Sequence, residues 1–261
     1  MLTIFTSPKA FEGHIGIIQR NAIISWTKLK EHPEIILLGN ESGTAEICKE
    51  FNLKFIPDVE LNKYGTPLCR DLFKKAQENS KYSYMALVNA DIILTDSFID
   101  SSIHCTKLKK FLMIGQRYDL DVTRLIDFEN NNWEEILRHK VKRNGVLHKS
   151  TGIDYFIFKK FEWMDLPPFA IGRPGWDNWF VSQAITKDHV VIDATEAVFV
   201  VHQNHKHSKN VTEWKDGIEK WCGPESVENS RLIKQNGGRK YAGFTTSAPW
   251  IMNRKGEIKC R

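Results

Sequence analysis

The sequence predicts an α/β fold: a mostly parallel sheet flanked by helices. Three observations carry this. Apolar strand-like runs alternate with helical periodicities along residues 1–110, in units of about 30 residues, the length of a strand–helix–strand crossover. The residues with chemical potential follow those runs, where ligands sit in open parallel sheets. Finally, 261 residues with 41% hydrophobic and 26% charged content suit a globular chain able to bury a full core.

The elements follow in order. Leu2–Thr6 reads as a short strand. Ile17, Ile18, Ala22, Ile23 and Trp26 recur at helical spacing, so Gly16–Leu29 reads as a helix. Glu34–Leu38 is an apolar strand ending in Gly39, Asn40 and Glu41, then come a helix over Gly43–Phe51 and a strand over Lys54–Pro57. Thr66–Asn79 reads as a helix with Pro67 in its first turn, where a missing N–H costs little. Tyr84–Leu94 reads as one buried strand, and Asp96–Lys109 as a helix or irregular link. The second half places strands at Phe111–Tyr118, Asp154–Phe158, His189–Ile192 and Val198–Val201, with helices at Trp133–Arg143 and Trp176–Ile185. From Lys206 onward the pattern loosens and reads as a tail folded over the body.

Composition narrows the function classes. No apolar run approaches the roughly 18 residues of a membrane helix, so no integral membrane segment is expected. The start lacks a basic segment followed by an apolar stretch, unlike a signal peptide. The five cysteines are scattered and without CxxC spacing, which suits a reducing, cytoplasmic setting and argues against a disulfide frame or zinc site. The glycosylation-like triplet Asn210–Thr212 would then be idle. Eight Trp either pack in the core or line a sugar or base site. From Gln203 to Arg261, twelve Lys/Arg stand against six Asp/Glu, a net +6, while the remainder is close to neutral. Such a segment suits contact with an anion, or is a solvated face.

Five constellations could carry chemistry. Asn89 and Asp91 stand two apart near the end of an apolar run, so on a strand they would share one face. A carboxylate in apolar surroundings needs compensation. Mg²⁺ or Mn²⁺ bearing a diphosphate would supply it, as carboxylate and amide oxygens suit these ions; an Asp capping the following turn is the plainer alternative. His202 and His205 follow the apolar run Ala197–Val201. Either could be a nitrogen ligand to the same metal, touch phosphate, or be structural. Asp177 opens a helix after a Gly/Pro-rich loop and between Trp176 and Trp179. It either caps that helix or acts as a general base. Arg117, followed by Asp119 and Asp121, could bind diphosphate or form a buried ion pair. Asp154, after Gly152, could accept from a hydroxyl of donor or acceptor. No Walker A, GxGxxG, GxSxG or HExxH pattern is present.

In their order, these features resemble the GT-A fold of nucleotide-sugar glycosyltransferases, of the family 2-like kind found in bacteria and viruses. Asn89-Ala90-Asp91 is similar to that family's metal-binding Asp-x-Asp, with Asn in place of the first Asp. Thr6, Ser7 and Pro8 resemble its first nucleotide-contacting loop, and Glu41 the position that reads base and ribose. Asp177 falls where inverting members carry the acid that activates the acceptor, and His202 or His205 where some carry a late His on metal or diphosphate. The segments Phe11–Gly16 and Val201–His205 are similar to those of bacterial and viral glycosyltransferase-like proteins.

The resemblance covers about residues 1–205. It implies a nucleotide-binding half over 1–110, an acceptor half over 111–205, and a lid over 206–261 packed on the same domain. It implies sugar transfer from a nucleotide-diphosphate donor to an acceptor hydroxyl on a glycan, a lipid-linked molecule or even modified DNA. The transfer would be assisted by Mn²⁺ or Mg²⁺ and inverting. Lys206, Lys209 or Arg239 would close over the diphosphate. Asn89 in place of Asp keeps a second expectation open: a GT-A-like module that binds nucleotide or glycan without catalysis.

Overall fold

The structure is a computed structural model that describes residues 1–206 and 222–261 in full and, between them, the backbone of two strands. The chain begins β1 (Leu2–Thr6), α1 (Gly13–Thr27), β2 (Glu34–Leu38), α2 (Thr44–Glu50), β3 (Lys54–Ile56), α3 (Cys69–Asn79) and β4 (Tyr84–Val88). It continues β5 (Ile92–Ile93), α4 (Asp96–Cys105), β6 (Phe111–Ile114), β7 (Tyr118–Leu120), α5 (Trp133–Asn144), β8 (Val146–Leu147), β9 (Tyr155–Lys159) and α6 (Trp176–Thr186). It closes with β10 (Val190–Asp193), β11 (Val201–Gln203), the hairpin strands β12 (Thr212–Lys215) and β13 (Ile218–Trp221), α7 (Pro224–Gln235), β14 (Trp250–Met252) and β15 (Ile258–Cys260).

The expected α/β architecture is present. Among the described residues the main sheet runs β15-β14-β10-β6-β9-β4-β1-β2-β3. Its central strands β1, β4, β6 and β9 are buried on both faces, as parallel sheets require. Within β4, Ala86 and Val88 join the core under α1 and α4, built on Ala22, Ile23, Trp26 and Phe98. Met85 and Leu87 join the opposite core with Leu72 and Phe73 of α3 and Phe180 and Val181 of α6. This alternation is the strand period of two expressed as two hydrophobic layers. Two strands break the parallel order: β9, antiparallel between β4 and β6, and β15, antiparallel to β14.

Four sequence expectations are corrected. Tyr84–Leu94 is not one strand: β4 stops at Val88, and the Ile92 N–H donates to the Asn89 carbonyl at 3.1 Å, closing a turn. Ile92–Ile93 then pairs with β11 in a second sheet, ordered β5-β11-β7-β8. The apolar character of Ile92 comes from burial beneath α1, whose Trp26 indole N–H donates to the Ile92 carbonyl at 2.9 Å. Phe111–Tyr118 splits likewise, Phe111–Ile114 entering the main sheet and Tyr118 the second. The helix expected from Thr66 starts at Cys69; Pro67 instead forms a bridge with Leu61, and Leu68 one with Ala170. Val198–Val201 forms a strand only from Val201, which places His202 inside β11 rather than beyond it.

The C-terminal segment joins the body. α7 packs on α6, with Leu232 buried in the same core. β14 adds parallel to β10, β15 adds antiparallel to β14, and Arg261 pairs with Asp193 at 2.6 Å. Three-residue strands are too short to show a period, so the sequence gives them no signal. The backbone approaches closely where this segment meets α6: a Cβ on Gly243, at φ +74°, would lie 1.9 Å from the Asn178 carbonyl oxygen. Gly243→Ala is therefore expected to lower stability by about 2–3 kcal/mol. Denaturant unfolding would measure this, and an unchanged midpoint would contradict the close approach.

Cys48, Cys69 and Cys105 are buried, Cys222 is half-buried and Cys260 exposed, all as free thiols. No described helix is long and apolar enough to cross a membrane.

Candidate active site

Beyond the C-terminal ends of β1 and β4 lies a cleft of about 720 Å³. Ten of the residues singled out in the sequence line it. Thr6, Pro8 and Glu41 come from the loops after β1 and β2. Asn89 and Asp91 come from the turn after β4, and Arg117 and Asp154 from the segments flanking β7 and β9. Asp177 comes from the start of α6, and His202 and His205 from β11 and its end.

The second sheet does the assembling. β11 lies between β5 and β7, so His202 is paired with Ile92 on one side and Asp119 on the other. This brings Asp91, one residue before β5, against both imidazoles. His205 donates from Nε2 to Asp91 Oδ2 at 3.0 Å, and His202 Nε2 stands 3.7 Å from the same oxygen. One ligand atom from each of the three lies within 4.8 Å of the others, making a possible metal-binding group. Asp91 Oδ1 is buried without a hydrogen-bond partner. A desolvated carboxylate oxygen beside two imidazole nitrogens is a donor set that fits Mn²⁺ or a similar divalent ion. Burial opposes the Asp91 charge, but the charge on His202 and the hydrogen bond from His205 outweigh it and hold the carboxyl well below the usual range.

The backbone at Asp91 is fixed from behind. Buried Gln203 donates from Nε2 to the carbonyls of Ile18 at 2.7 Å and Asp91 at 3.0 Å. Its Oε1 accepts from buried Asn21 at 2.9 Å, and Asn21 Oδ1 accepts from the Ile126 N–H. A buried amide network with this many partners holds one arrangement.

Asp119 is the hub of the contacts behind His202. Its Oδ1 lies 3.2 Å from both His202 Nδ1 and Arg117 Nε, and its Oδ2 accepts from His148 Nδ1 at 2.6 Å. Burial opposes its ionisation, while His148, His202 and Arg117 together hold its pKa far below normal. His202 thus faces Asp119 with Nδ1 and Asp91 with Nε2. Arg117 also pairs with Asp154, whose Oδ1 accepts from Asn89 Nδ2 at 2.6 Å. Arg117 thus forms the buried ion pair left open by the sequence, with two carboxylates. Asn89 is likewise engaged through its amide nitrogen.

Asp177, at the start of α6, lines the same cleft and lies close enough to Asp154 to feel its charge. Gly175, at φ +93°, turns the chain into α6, and the flanking Trp176 and Trp179 are buried in the core rather than stacked across the cleft. Asp177 Oδ1 is buried without a partner. Burial, reinforced by the nearby Asp154 charge, pushes its pKa up to about 6 against the pull of backbone N–H groups at the helix start. A carboxylate poised near neutrality can accept a proton at physiological pH.

Further residues of the site had no sequence signal, because their roles arise from distant contacts. Buried Gln19 clamps Lys9 by accepting from its N–H at 2.7 Å and donating to its carbonyl at 2.8 Å, which shapes the loop after β1. Glu225 of α7 binds Asn62 at 2.7 Å and Arg173 at 2.7 Å, tying together two cleft-lining loops. Lys206 and Arg239 are exposed and do not line the cleft, and Lys209 and Asn210 lie outside the described residues.

No family model and no curated protein matches the chain. Among solved structures it is similar to the mannosyltransferase PcManGT from Pyrobaculum calidifontis in complex with GDP-Man and Mn²⁺, at 12% identity and TM-score 0.48, over 80% of this chain and 58% of that one. It is also similar to glucosyl-3-phosphoglycerate synthase from Mycobacterium tuberculosis in complex with Mn²⁺, UDP and phosphoglyceric acid, at 12% identity and TM-score 0.49, over 79% and 72%. A third is S. aureus TarS 1-349, at 11% identity and TM-score 0.37, over 46% of this chain. The chain spans 36% of the TarS chain it matches.

Proposed function

We propose that this chain is a GT-A glycosyltransferase that moves a sugar from a nucleotide-diphosphate donor to an acceptor hydroxyl with inversion. The observation that carries this reading is one cleft lined by two devices: the Asp91–His202–His205 group and a carboxylate poised near neutral pH. The loops bearing Thr6, Pro8 and Glu41 bind the nucleoside. Asp91, His202 and His205 would hold a divalent cation, Mn²⁺ or Mg²⁺, which neutralises charge on the departing diphosphate when bound. Asp177 accepts the acceptor's hydroxyl proton as that oxygen attacks the anomeric carbon from the opposite face. Arg117 and Asp154, locked together, shape the floor between the two. Donors bound by the solved structures, UDP-GlcNAc in TarS and GDP-Man in PcManGT, are the first to test.

The test is a thermal-shift screen of UDP-, GDP-, CDP- and dTDP-sugars with and without Mn²⁺, followed by product analysis. A bound donor raises the melting temperature by mass action. One sugar nucleotide is expected to stabilise the protein in the presence of Mn²⁺ and to be consumed. Stabilisation without turnover of any donor would favour the non-catalytic module. No stabilisation by any would remove the donor-site assignment.

Asp119→Asn is expected to weaken Mn²⁺ binding about 10–100-fold, the usual effect of losing the carboxylate behind a ligating imidazole. Titration calorimetry with Mn²⁺ alone measures it. Unchanged affinity would show that Asp119 does not orient His202.

A further inference from the structure

The segment from Ile136 to Lys149, the outer part of α5 and all of β8, carries five Lys/Arg and no Asp/Glu. That equals the net charge of the whole chain, +5, within one hairpin. Arg138 is engaged, with its guanidinium 4.1 Å from the Phe199 ring and an ion pair to Glu134. Lys140, Lys142, Arg143 and Lys149 are exposed, and none pairs with a carboxylate among the described residues. Apolar side chains stand exposed among them: Val146 at 66%, Leu147 at 44% and Ile136 at 42%. Exposed apolar residues scattered singly are ordinary, but Val146 and Leu147 are adjacent, sit at a sheet edge and are flanked within three residues by the unpaired cations Arg143 and Lys149. The hairpin ends at the cleft, since His148 and Thr151 through Asp154 form its acceptor-side wall.

We propose that the α5–β8 hairpin docks this protein on an anionic lipid surface, with Val146 and Leu147 entering the headgroup region and Lys140, Lys142, Arg143 and Lys149 meeting the lipid phosphates. Charge complementarity argues for an anionic partner. The apolar pair at the centre of the patch argues for a lipid interface over a nucleic acid, because bases are gripped by exposed aromatic stacking and the patch presents aliphatic residues instead. Resting on the glycosyltransferase reading, the docking also names the acceptor class. A hydroxyl carried on a lipid headgroup would be delivered beside His148 and Gly152, on the side of the cleft facing the membrane.

The test is sedimentation of the full chain with vesicles of phosphatidylcholine alone or with phosphatidylglycerol at 30 mol% (roughly the anionic share of a strongly charged leaflet). Donor turnover is measured separately in vesicle-free solution. Binding is expected only to the anionic vesicles, and to fall as salt rises. Lys142→Glu with Arg143→Glu is expected to lower the partition constant at least about 25-fold, taking about fivefold per cation. Val146→Ser with Leu147→Ser should lower it several-fold, and should do so at high salt too, where a purely electrostatic contact would already be lost. Both variants should keep wild-type melting and donor turnover. Failure of the wild type to bind anionic vesicles would overturn the docking and leave the donor chemistry standing. Vesicle binding without any donor turnover would leave the surface standing and remove the acceptor assignment. Equal binding by both double variants and wild type would show that another face makes the contact, and a wild type retained by duplex DNA but not by vesicles would replace lipid with nucleic acid.

Discussion

Asp177→Asn is expected to lower the rate of sugar transfer by about 10²–10⁴-fold while leaving donor binding intact, the usual effect of removing a general base. The same substitution should raise stability at pH 8. The sign follows from the Asp177 pKa, pushed up to about 6 in the folded chain by burial and the Asp154 charge. The unfolded value is about 3.9. The native state therefore holds this proton more tightly than the unfolded state. The folded protein loses stability as pH rises from about 4 to about 6, and the full penalty persists above that. Asparagine removes the charge and retains the shape. It should add about 1–2 kcal/mol at pH 8, after discounting for partial exposure, and nothing at pH 4. In a chain of this size that is roughly 3–6 °C in melting temperature at pH 8. The wild-type kcat/KM should climb with pH through about 6, and that limb should vanish in the variant. A variant with wild-type turnover, or a wild-type profile flat between pH 5 and 7, would remove Asp177 from the proton transfer.

Asp91→Asn is expected to reduce transfer by at least about 100-fold and to abolish the Mn²⁺-dependent rise in melting temperature. The amide keeps the volume and the carbonyl oxygen that His205 addresses, but removes the charge that His202 and His205 now face. Nucleoside contacts made by the loops after β1 and β2 should survive, so binding of a nucleoside monophosphate should change little. Full activity of Asp91→Asn with the metal chelated would sink the metal role. Loss of nucleoside binding would instead point to collapse of the turn after β4, and the Gln203–Asp91 backbone hydrogen bonds make that collapse unexpected.

Much of the fold was legible because its signals are local. Strands β1 and β2 and helices α1, α2, α3 and α6 announce themselves by local apolar pattern within windows of a few turns. Their alternation dictates parallel crossovers. The site residues were legible for a related reason: ligands gather at strand ends, so polar residues that follow apolar runs tend to converge. Thr6, Glu41 and Asp91 do so. Errors arose where burial imitates strand continuity. Ile92 and Leu94 are apolar because they join the core with α1, and Ile93 because it packs with Leu137 and Val141 of α5, not because β4 continues, and periodicity cannot separate the causes. The strands β14 and β15, at one end of the main sheet, were missed because three residues carry no period.

By itself, the sequence determined an α/β sheet and singled out Asp91, Asp177 and two late histidines, which line one cleft. It could not say which of them meet one another. That was decided by pairing across more than a hundred residues, when β11 entered between β5 and β7 and set His202 opposite Asp119 and beside Asp91. Side-chain chemistry is a property of the residue. Its protonation state, tautomer and partners are properties of the neighbours that folding brings within hydrogen-bonding distance. For this reason Asp119, one of several acids in a loop when read along the chain, becomes the residue on which His148, His202 and Arg117 all converge.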